Sequence, residues 1–371
     1  MTKLEDDLVW TEYLTKNNII GNLADVERRE GILELLRSLL PAFNRHIAQE
    51  NNIDRDSFQC SLVPFGSYGL GGHLVDADID IVFLGPWPVR RSYFYKVFST
   101  QLRRQPAVQD VEVIQRTNVP IIKCTIDTIA VDISFVRLRL DTIPPNIDLL
   151  DDDLLRNLDS TCVASMDGPR VHKYVMDHIN PKHLQVFRRT LQCVKYWATR
   201  RCIYGKPMGY LNGSTWTLLL VKTYMDAMNE PVTIHTLLQL FFEKWSSWHW
   251  PTPVIIGDYI PDLGGGSIPY HTLQEFEDAV MPIVSPCYPV CSTAPYVTKS
   301  TLRIMTKELD RARNIINAPQ MTADEVLQKL FKPFDFVKPY INFLKIITSC
   351  DTLRSHETWY AIEFMLYMTY A

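Results

Sequence analysis

The sequence predicts an α+β fold, a mixed-sheet domain followed by a mostly helical one. Three observations carry that expectation. Ile79, Ile81, Val82, Phe83 and Leu84 form a short apolar run of strand length. Two further strand-like runs, 119–126 and 129–135, flank Asp127-Thr128, which reads as a turn. Beyond about residue 166 the apolar spacing becomes helical, in 181–202, 216–228 and 232–245.

Taken in chain order, 24–51 reads as a helix with Ile32, Leu35, Leu36 and Leu39 on its apolar side. Phe65-Gly66-Ser67 reads as a tight turn, and Asp78-Ile79-Asp80-Ile81 follows after ten residues. Strand side chains alternate faces, so Asp78 and Asp80 project to the same side. Two carboxylates in an apolar run are costly unless something compensates them. A solvated strand end explains a lone Asp-x-Asp. The preceding turn and the apolar flanks favour a cation instead. A hard ion such as Mg²⁺ takes oxygen ligands and completes its shell with water and substrate phosphate. Gly66 permits close backbone approach, and Ser67 offers an N–H and a hydroxyl to a phosphate.

The run 119–126 makes one strand and 129–135 another. Asp132 sits in the second between Val131 and Ile133, and a third metal ligand accounts for it. Two divalent ions about 3.5–4 Å apart can clamp the attacking and leaving oxygens of an in-line displacement. Asp132 is then the candidate to accept a hydroxyl proton, directly or through water.

In 181–202, Asn180 suits the N-cap and Pro181 the first helical position. Leu184, Phe187, Leu191, Val194 and Ala198 make the apolar stripe. Arg188, Lys195 and Arg201 leave it, and both a solvated basic face and a ligand contact remain open.

Six segments in order resemble the nuclear-type eukaryotic poly(A) polymerases, within the DNA polymerase β-like nucleotidyltransferases. They are Phe65-Gly-Ser-Tyr-Gly-Leu-Gly-Gly-His73, the acidic stretch 148–159, Ser165-Met-Asp-Gly-Pro-Arg-Val171, Val194-Lys-Tyr-Trp-Ala-Thr-Arg-Arg-Cys-Ile-Tyr204, Trp248-His-Trp-Pro-Thr-Pro-Val254 and Met281-Pro-Ile-Val-Ser-Pro-Cys-Tyr-Pro289. The resemblance implies transfer of AMP from ATP to an RNA 3′ end, with Mg²⁺ or Mn²⁺. It implies Asp78, Asp80 and Asp132 as catalytic metal ligands. It places ATP contacts at Phe65, Gly66, Ser67, Lys195, Tyr204, Lys206, Gly213 and Ser214, and RNA contacts at Lys123 and Asn118. Three positions depart from the family pattern. Lys206 stands where an Asn is common, Asn212-Gly213-Ser214-Thr215-Trp216 replaces a Gly-Gly-Val-Ser-Trp-like segment, and Asn118 replaces a Phe. The first two bear on base preference, so a terminal uridylyltransferase stays open. A non-catalytic nucleotide- or RNA-binding scaffold is the reading from another class.

The 371 residues suffice for two or three domains, expected at 1–165 (nucleotidyltransferase), 166–334 (central) and 335–371. The last is expected to begin an RNA-recognition-like domain, with a strand at 340–347 and a helix at 356–368. A strand and helix alone cannot close a sheet core, so the central domain or a partner is expected to cover them. Net charge is −4, so any RNA-binding charge must be local. Arg188, Arg189, Lys195, Arg200, Arg201 and Lys206 form the expected cluster, with Arg90-Arg91 and Arg103-Arg104 as smaller ones. Eight Cys without regular spacing argue against a zinc site and fit a reducing compartment. No signal peptide or membrane span is expected. The resemblance implies a nuclear location without a visible import signal, recruitment by cleavage and polyadenylation factors, and a monomer.

Overall fold

The computed structural model describes residues 7–54, 58–227, 232–257 and 273–335. The strand and helix expected at 340–347 and 356–368 lie outside them. Five strands form one mixed sheet in the order β1-β2-β5-β4-β3: β1 (Ser61–Phe65), β2 (Ile79–Gly85), β3 (Val108–Ile114), β4 (Ile121–Ile126) and β5 (Ile129–Arg137). β2 and β5 run parallel, and the other pairs are antiparallel. β4 begins at Ile121 rather than 119, because Pro120 has no N–H to give a ladder. Asp127 and Thr128 both take positive φ, 47° and 72°, in the two-residue turn that joins β4 to β5.

The apolar run in β2 is continuous because both faces of the sheet are covered. On one face Ile79, Ile81 and Phe83, with Val131, Ile133 and Phe135 of β5, pack under α2 (Leu23–Asn51) through Ile32, Leu36 and Phe43. Phe83 meets the rings of Phe43, Phe94, Phe98 and Phe135, so Phe83→Ala would cost about 3–5 kcal/mol. On the other face Val82, Leu84, Val136 and Leu138 pack against Cys162 and Met166 of α6 (Ser160–Asp177). Two small helices, α3 (Gly66–Leu70) and α4 (Arg91–Tyr93), and α5 (Ser99–Arg103) complete this body.

The helical body is built from α7 (Leu184–Arg200), α8 (Gly213–Asp226), α9 (Ile234–Ser247), α10 (Lys299–Ile316) and α11 (Ala323–Leu330). The expected N-cap at Asn180 is present, but Pro181–His183 is a 3₁₀ turn and the α-helix proper begins at Leu184. α8 starts at Gly213, earlier than the apolar run suggests, because the Asn212 side chain accepts from the Thr215 N–H. Two elements tie the bodies together. α6 crosses residue 165: its first half packs on the sheet, while Val171 and Val175 enter the helical core. α1 (Asp7–Lys16) precedes the sheet in sequence, yet Trp10 and Leu14 are fully buried in the helical core, and Trp10 stacks on His235 of α9.

Candidate active site

The register of β2 against β5 sets Asp80 opposite Asp132. Both share the face of Val82 and Val136, the face that α6 covers further along, and Asp78 lies two residues before Asp80 with the same parity. Asp78 is exposed, whereas Asp80 and Asp132 are half-buried. β1 runs antiparallel on the other side of β2, so Phe65 pairs with Asp80 and delivers the Gly66-Ser67 turn next to it. Gly66 has φ +64°, and a Cβ there would lie 2.6 Å from Asp80 Oδ2. Both facts call for glycine. Ser67 is the second residue of the short α3, with its backbone N–H in that helix's free first turn.

Helix α7 fixes the loop that follows. Arg188 Nε donates to the Leu70 carbonyl (2.6 Å), Gln192 Nε2 to the His73 carbonyl (2.9 Å) and Lys195 Nζ to the Gly72 carbonyl (3.3 Å). Positions 188, 192 and 195 lie on one helical face, so a single side of α7 grips residues 70–73. Lys195 is 4% exposed. It feels the charges of Asp80 and Asp78, which brings the helical body's cation to the sheet's carboxylates.

Burial, then the charges of Asp78 and Asp132, push Asp80 up to about 7. Burial also raises Asp132, Lys123 beside it opposes, and Asp78 adds to the rise. Asp132 Oδ1 is buried with no hydrogen-bond partner among the described residues. Among those residues, no group of three or more His, Cys, Asp or Glu side chains is placed to hold a metal ion. The carboxylates nevertheless fit a divalent cation, since an orphaned oxygen and mutually repelling anions are what such an ion relieves.

The remaining expected contacts divide. Tyr204 and Gly213 come together, because a Cβ on Gly213 would lie 2.5 Å from the Tyr204 hydroxyl and 3.6 Å from Lys195 Nζ. Burial raises the Tyr204 phenol, the Asp78 charge adds to this, and a backbone hydrogen bond with Gly213 opposes it. Ser214 is exposed at the start of α8. The ring of Phe65 lies against Gly168 of α6, where a Cβ would come within 2.5 Å of it, so packing of α6 on the sheet occupies that side chain. Lys206 sits in a 3₁₀ turn, and its charge acts on Asp167. Lys123 pairs in register with Asp132, and Asn118 is exposed in the loop before β4.

Asp167 carried no role in the sequence reading. Its Oδ1 is buried without a partner among the described residues, and burial pushes it up to about 6 against the pull of Lys206 and Arg170. An acid next to Gly168-Pro169 inside α6 was the available signal. Most of the expected basic cluster is engaged within the fold rather than free on the surface. Arg188 and Lys195 hold the 70–73 loop, Arg189 bonds Gln192, and Arg201 is buried on Glu308. Helical spacing shows which side chains leave an apolar stripe but not what waits beside them.

Comparison with known proteins agrees with this arrangement. Residues 2–179 match the poly(A) polymerase nucleotidyltransferase domain, and residues 186–333 the poly(A) polymerase central domain. Nuclear poly(A) polymerase 1 of Arabidopsis thaliana is 29% identical over 369 residues, covering 96% of this chain and 51% of that protein. Poly(A) polymerase PAPalpha of Candida albicans is 28% identical over 353 residues, covering 90% and 60%. The chain thus spans about half the length of the plant relative. A solved structure of Cid1, described as having RNA terminal uridylyl transferase activity, superposes with TM-score 0.57 at 16% identity, covering 89% of this chain and 99% of that one. That likeness is one of fold, and it agrees with the α+β nucleotidyltransferase architecture. With both domains of one family matched in order across nearly the whole described length, the chain belongs to the poly(A) polymerase family of polymerase β-like nucleotidyltransferases.

Proposed function

We propose that the protein is a template-independent RNA adenylyltransferase, adding AMP from ATP to RNA 3′ ends. The observation that carries this reading is the Asp80–Asp132 pairing across parallel strands, with Asp80 beside the Gly66-Ser67 turn and Asp132 Oδ1 unpartnered among the described residues. Asp78, Asp80 and Asp132 would hold Mg²⁺ or Mn²⁺, two ions in the full arrangement, which would neutralise charge on the phosphate oxygens and acidify the attacking hydroxyl. The 3′ oxygen forms a bond to the α-phosphorus, the bond from that phosphorus to the bridging oxygen of the β-phosphate breaks, and pyrophosphate leaves. Asp132, opposite Asp80 on the sheet, takes the hydroxyl proton directly or through water. Ser67 donates to the triphosphate from the end of α3. Lys195 supplies a cation from α7, and its carbonyl contact to Gly72 holds it in place. Tyr204 and Gly213 form the wall on the helical side, and Lys123 faces the acceptor. Most of the rate comes from position and charge rather than covalent chemistry.

Base choice rests on the helical side of the pocket. Lys206 only donates, so it cannot give an adenine edge the paired donor and acceptor of an Asn amide. ATP is therefore preferred, less strictly than an Asn would allow. The same residue favours a second reading, uridylyl transfer, since a donor suits a uracil carbonyl. The names of the plant relatives support a nuclear location, and cleavage and polyadenylation factors are the partners we propose. The experiment is extension of a labelled oligo(A) primer with each NTP separately, in Mg²⁺ and in Mn²⁺. Extension best with ATP supports adenylyl transfer. UTP used better than ATP overturns it in favour of the uridylyl reading, and no extension with any NTP points to the scaffold.

A further inference from the structure

Of the basic cluster expected to meet RNA, Arg188, Arg189, Lys195, Arg200 and Arg201 are engaged within the fold, which leaves open what holds the acceptor upstream of its 3′ end. A groove of about 600 Å³ on the helical body, between the Trp248-His249-Trp250 corner and α10, has the chemistry for it. We propose that this groove is a docking track for single-stranded RNA upstream of its 3′ end. The proposal rests on the reading of the chain as an RNA-tailing enzyme.

One wall is a rail of cations. Lys299, Arg303 and Lys307 lie at i, i+4 and i+8 on α10, so they stack along one helical face, and all three are exposed. No described residue forms an ion pair with any of them, whereas Arg311 and Arg313 on the same helix are paired with Glu308 and Asp310. Like charges at this spacing oppose each other, and a line of phosphates would relieve them. Asp310 is the one acid among the described lining residues, and Arg313 already holds it.

The other wall is aromatic. Trp248 and Trp250 are half-buried, and both rest on the buried Trp245, with ring centroids 5.1 and 6.3 Å away. Their rings are therefore fixed rather than free to collapse. Trp250 Nε1 has no hydrogen-bond partner among the described residues. Aromatic faces beside a cationic rail are how single strands are held without sequence preference. An acidic peptide would use the rail and leave the indoles without a role.

The track also starts in the right place. A Cβ on Gly209, which closes the turn carrying Lys206, would lie 3.1 Å from the Thr301 methyl and 3.2 Å from the Tyr296 carbonyl. The first turn of α10 thus abuts the base side of the pocket, where Tyr296 is 63% exposed. From Lys299 to Lys307 the helix rises about 12 Å away from it.

The test compares the wild type with the double variant Arg303→Glu/Lys307→Glu, and separately with Arg303→Ala/Lys307→Ala. Both change only exposed side chains, and thermal melts confirm folding. Oligo(A) binding is measured by fluorescence anisotropy across a salt series, and KM by tailing, with a long primer and with one too short to reach α10. The expected result is a KM for the long primer raised roughly 10-fold and a salt slope reduced by about 1.4, two single-strand contacts at about 0.7 each. The short primer, the KM for ATP and kcat should not change. Unchanged binding of the long primer, or equal weakening for both primers, overturns the track. Loss of binding to polyglutamate with oligo(A) binding intact also overturns it, in favour of an acidic protein partner. Failure of the wild type to extend any primer would defeat the tailing reading instead, and the anisotropy series would still decide the groove.

Discussion

In the helical body Arg201 reaches Glu308 through two hydrogen bonds, of 2.7 and 2.9 Å, and both side chains are about nine-tenths buried. Arg201 Nη1 also donates to the Lys332 carbonyl. At the sheet, Asp80 and Asp132 face each other with like charge, and an oxygen of Asp132 has no partner among the described residues. The first arrangement spends its charge within the fold. The second leaves charge over. A buried charge that the chain satisfies itself is structural, and one that it leaves unsatisfied is available to a ligand. The two regions should therefore respond oppositely to loss of a carboxylate.

The largest effect is expected at the sheet. Asp80→Ala and Asp132→Ala should lower primer extension by several orders of magnitude, since cation-based stabilisation of phosphoryl transfer is worth several kcal/mol. Their melting temperatures should stay at or above wild type in metal-free buffer, because mutual repulsion is relieved. Glu308→Ala should do the reverse. It strands Arg201 and should destabilise the fold by about 3–5 kcal/mol in a urea melt, with the activity of the remaining folded molecules largely kept. An Asp132→Ala protein that unfolds as readily as Glu308→Ala would break the contrast.

Gly66→Ala should fall between the two. Its positive φ and the 2.6 Å approach to Asp80 force the turn or the carboxylate to move. A displacement of that order costs about 100-fold in rate, measured as kcat, with modest loss of stability.

The smallest effect sharpens the comparison at a third place. The folded-state value of about 6 for Asp167 lies above the ordinary 3.8. The native state therefore binds the proton more tightly than the unfolded chain, and this contribution is full below pH 3.8 and lost as pH rises to 6. At neutral pH the buried anion is a net cost. Asp167→Asn should stabilise by about 1–2 kcal/mol at pH 7 and flatten the fall of stability between pH 4 and 6. An unchanged pH profile would show that Lys206 and Arg170 already compensate the charge.

What the sequence disclosed about the site was what is local. Asp78 and Asp80 are two residues apart in an apolar run, so strand alternation alone puts them together. Asp132 was suspect for the company it keeps, but its register against Asp80 joins parallel strands about fifty residues apart in sequence, and no local pattern encodes that. The grip of α7 on residues 70–73 was invisible for a related reason. Arg188 and Lys195 read equally as a solvated face or as ligand contacts, and Gln192 gives no signal, until the loop they hold is placed against them. Likewise residues 7–16 fall in the expected 1–165 domain, because only packing reveals that Trp10 belongs to the helical core. Family resemblance supplied what spacing could not for Tyr204 and Gly213, which the fold brings side by side. It did not foresee that the Phe65 ring is taken up by packing on Gly168.

The central proposal is that Asp78, Asp80 and Asp132, the last with an oxygen unpartnered among the described residues, together hold a divalent cation. The direct measurement is a thermal melt against Mn²⁺ concentration, for the wild type and for the Asp78→Asn/Asp80→Asn/Asp132→Asn variant. The wild type should gain stability with added Mn²⁺, by about 2.7 kcal/mol at a hundredfold excess over its Kd. The variant should start higher without metal and not respond. An equal Mn²⁺ response from both proteins would contradict the account, because the ion would then be bound elsewhere.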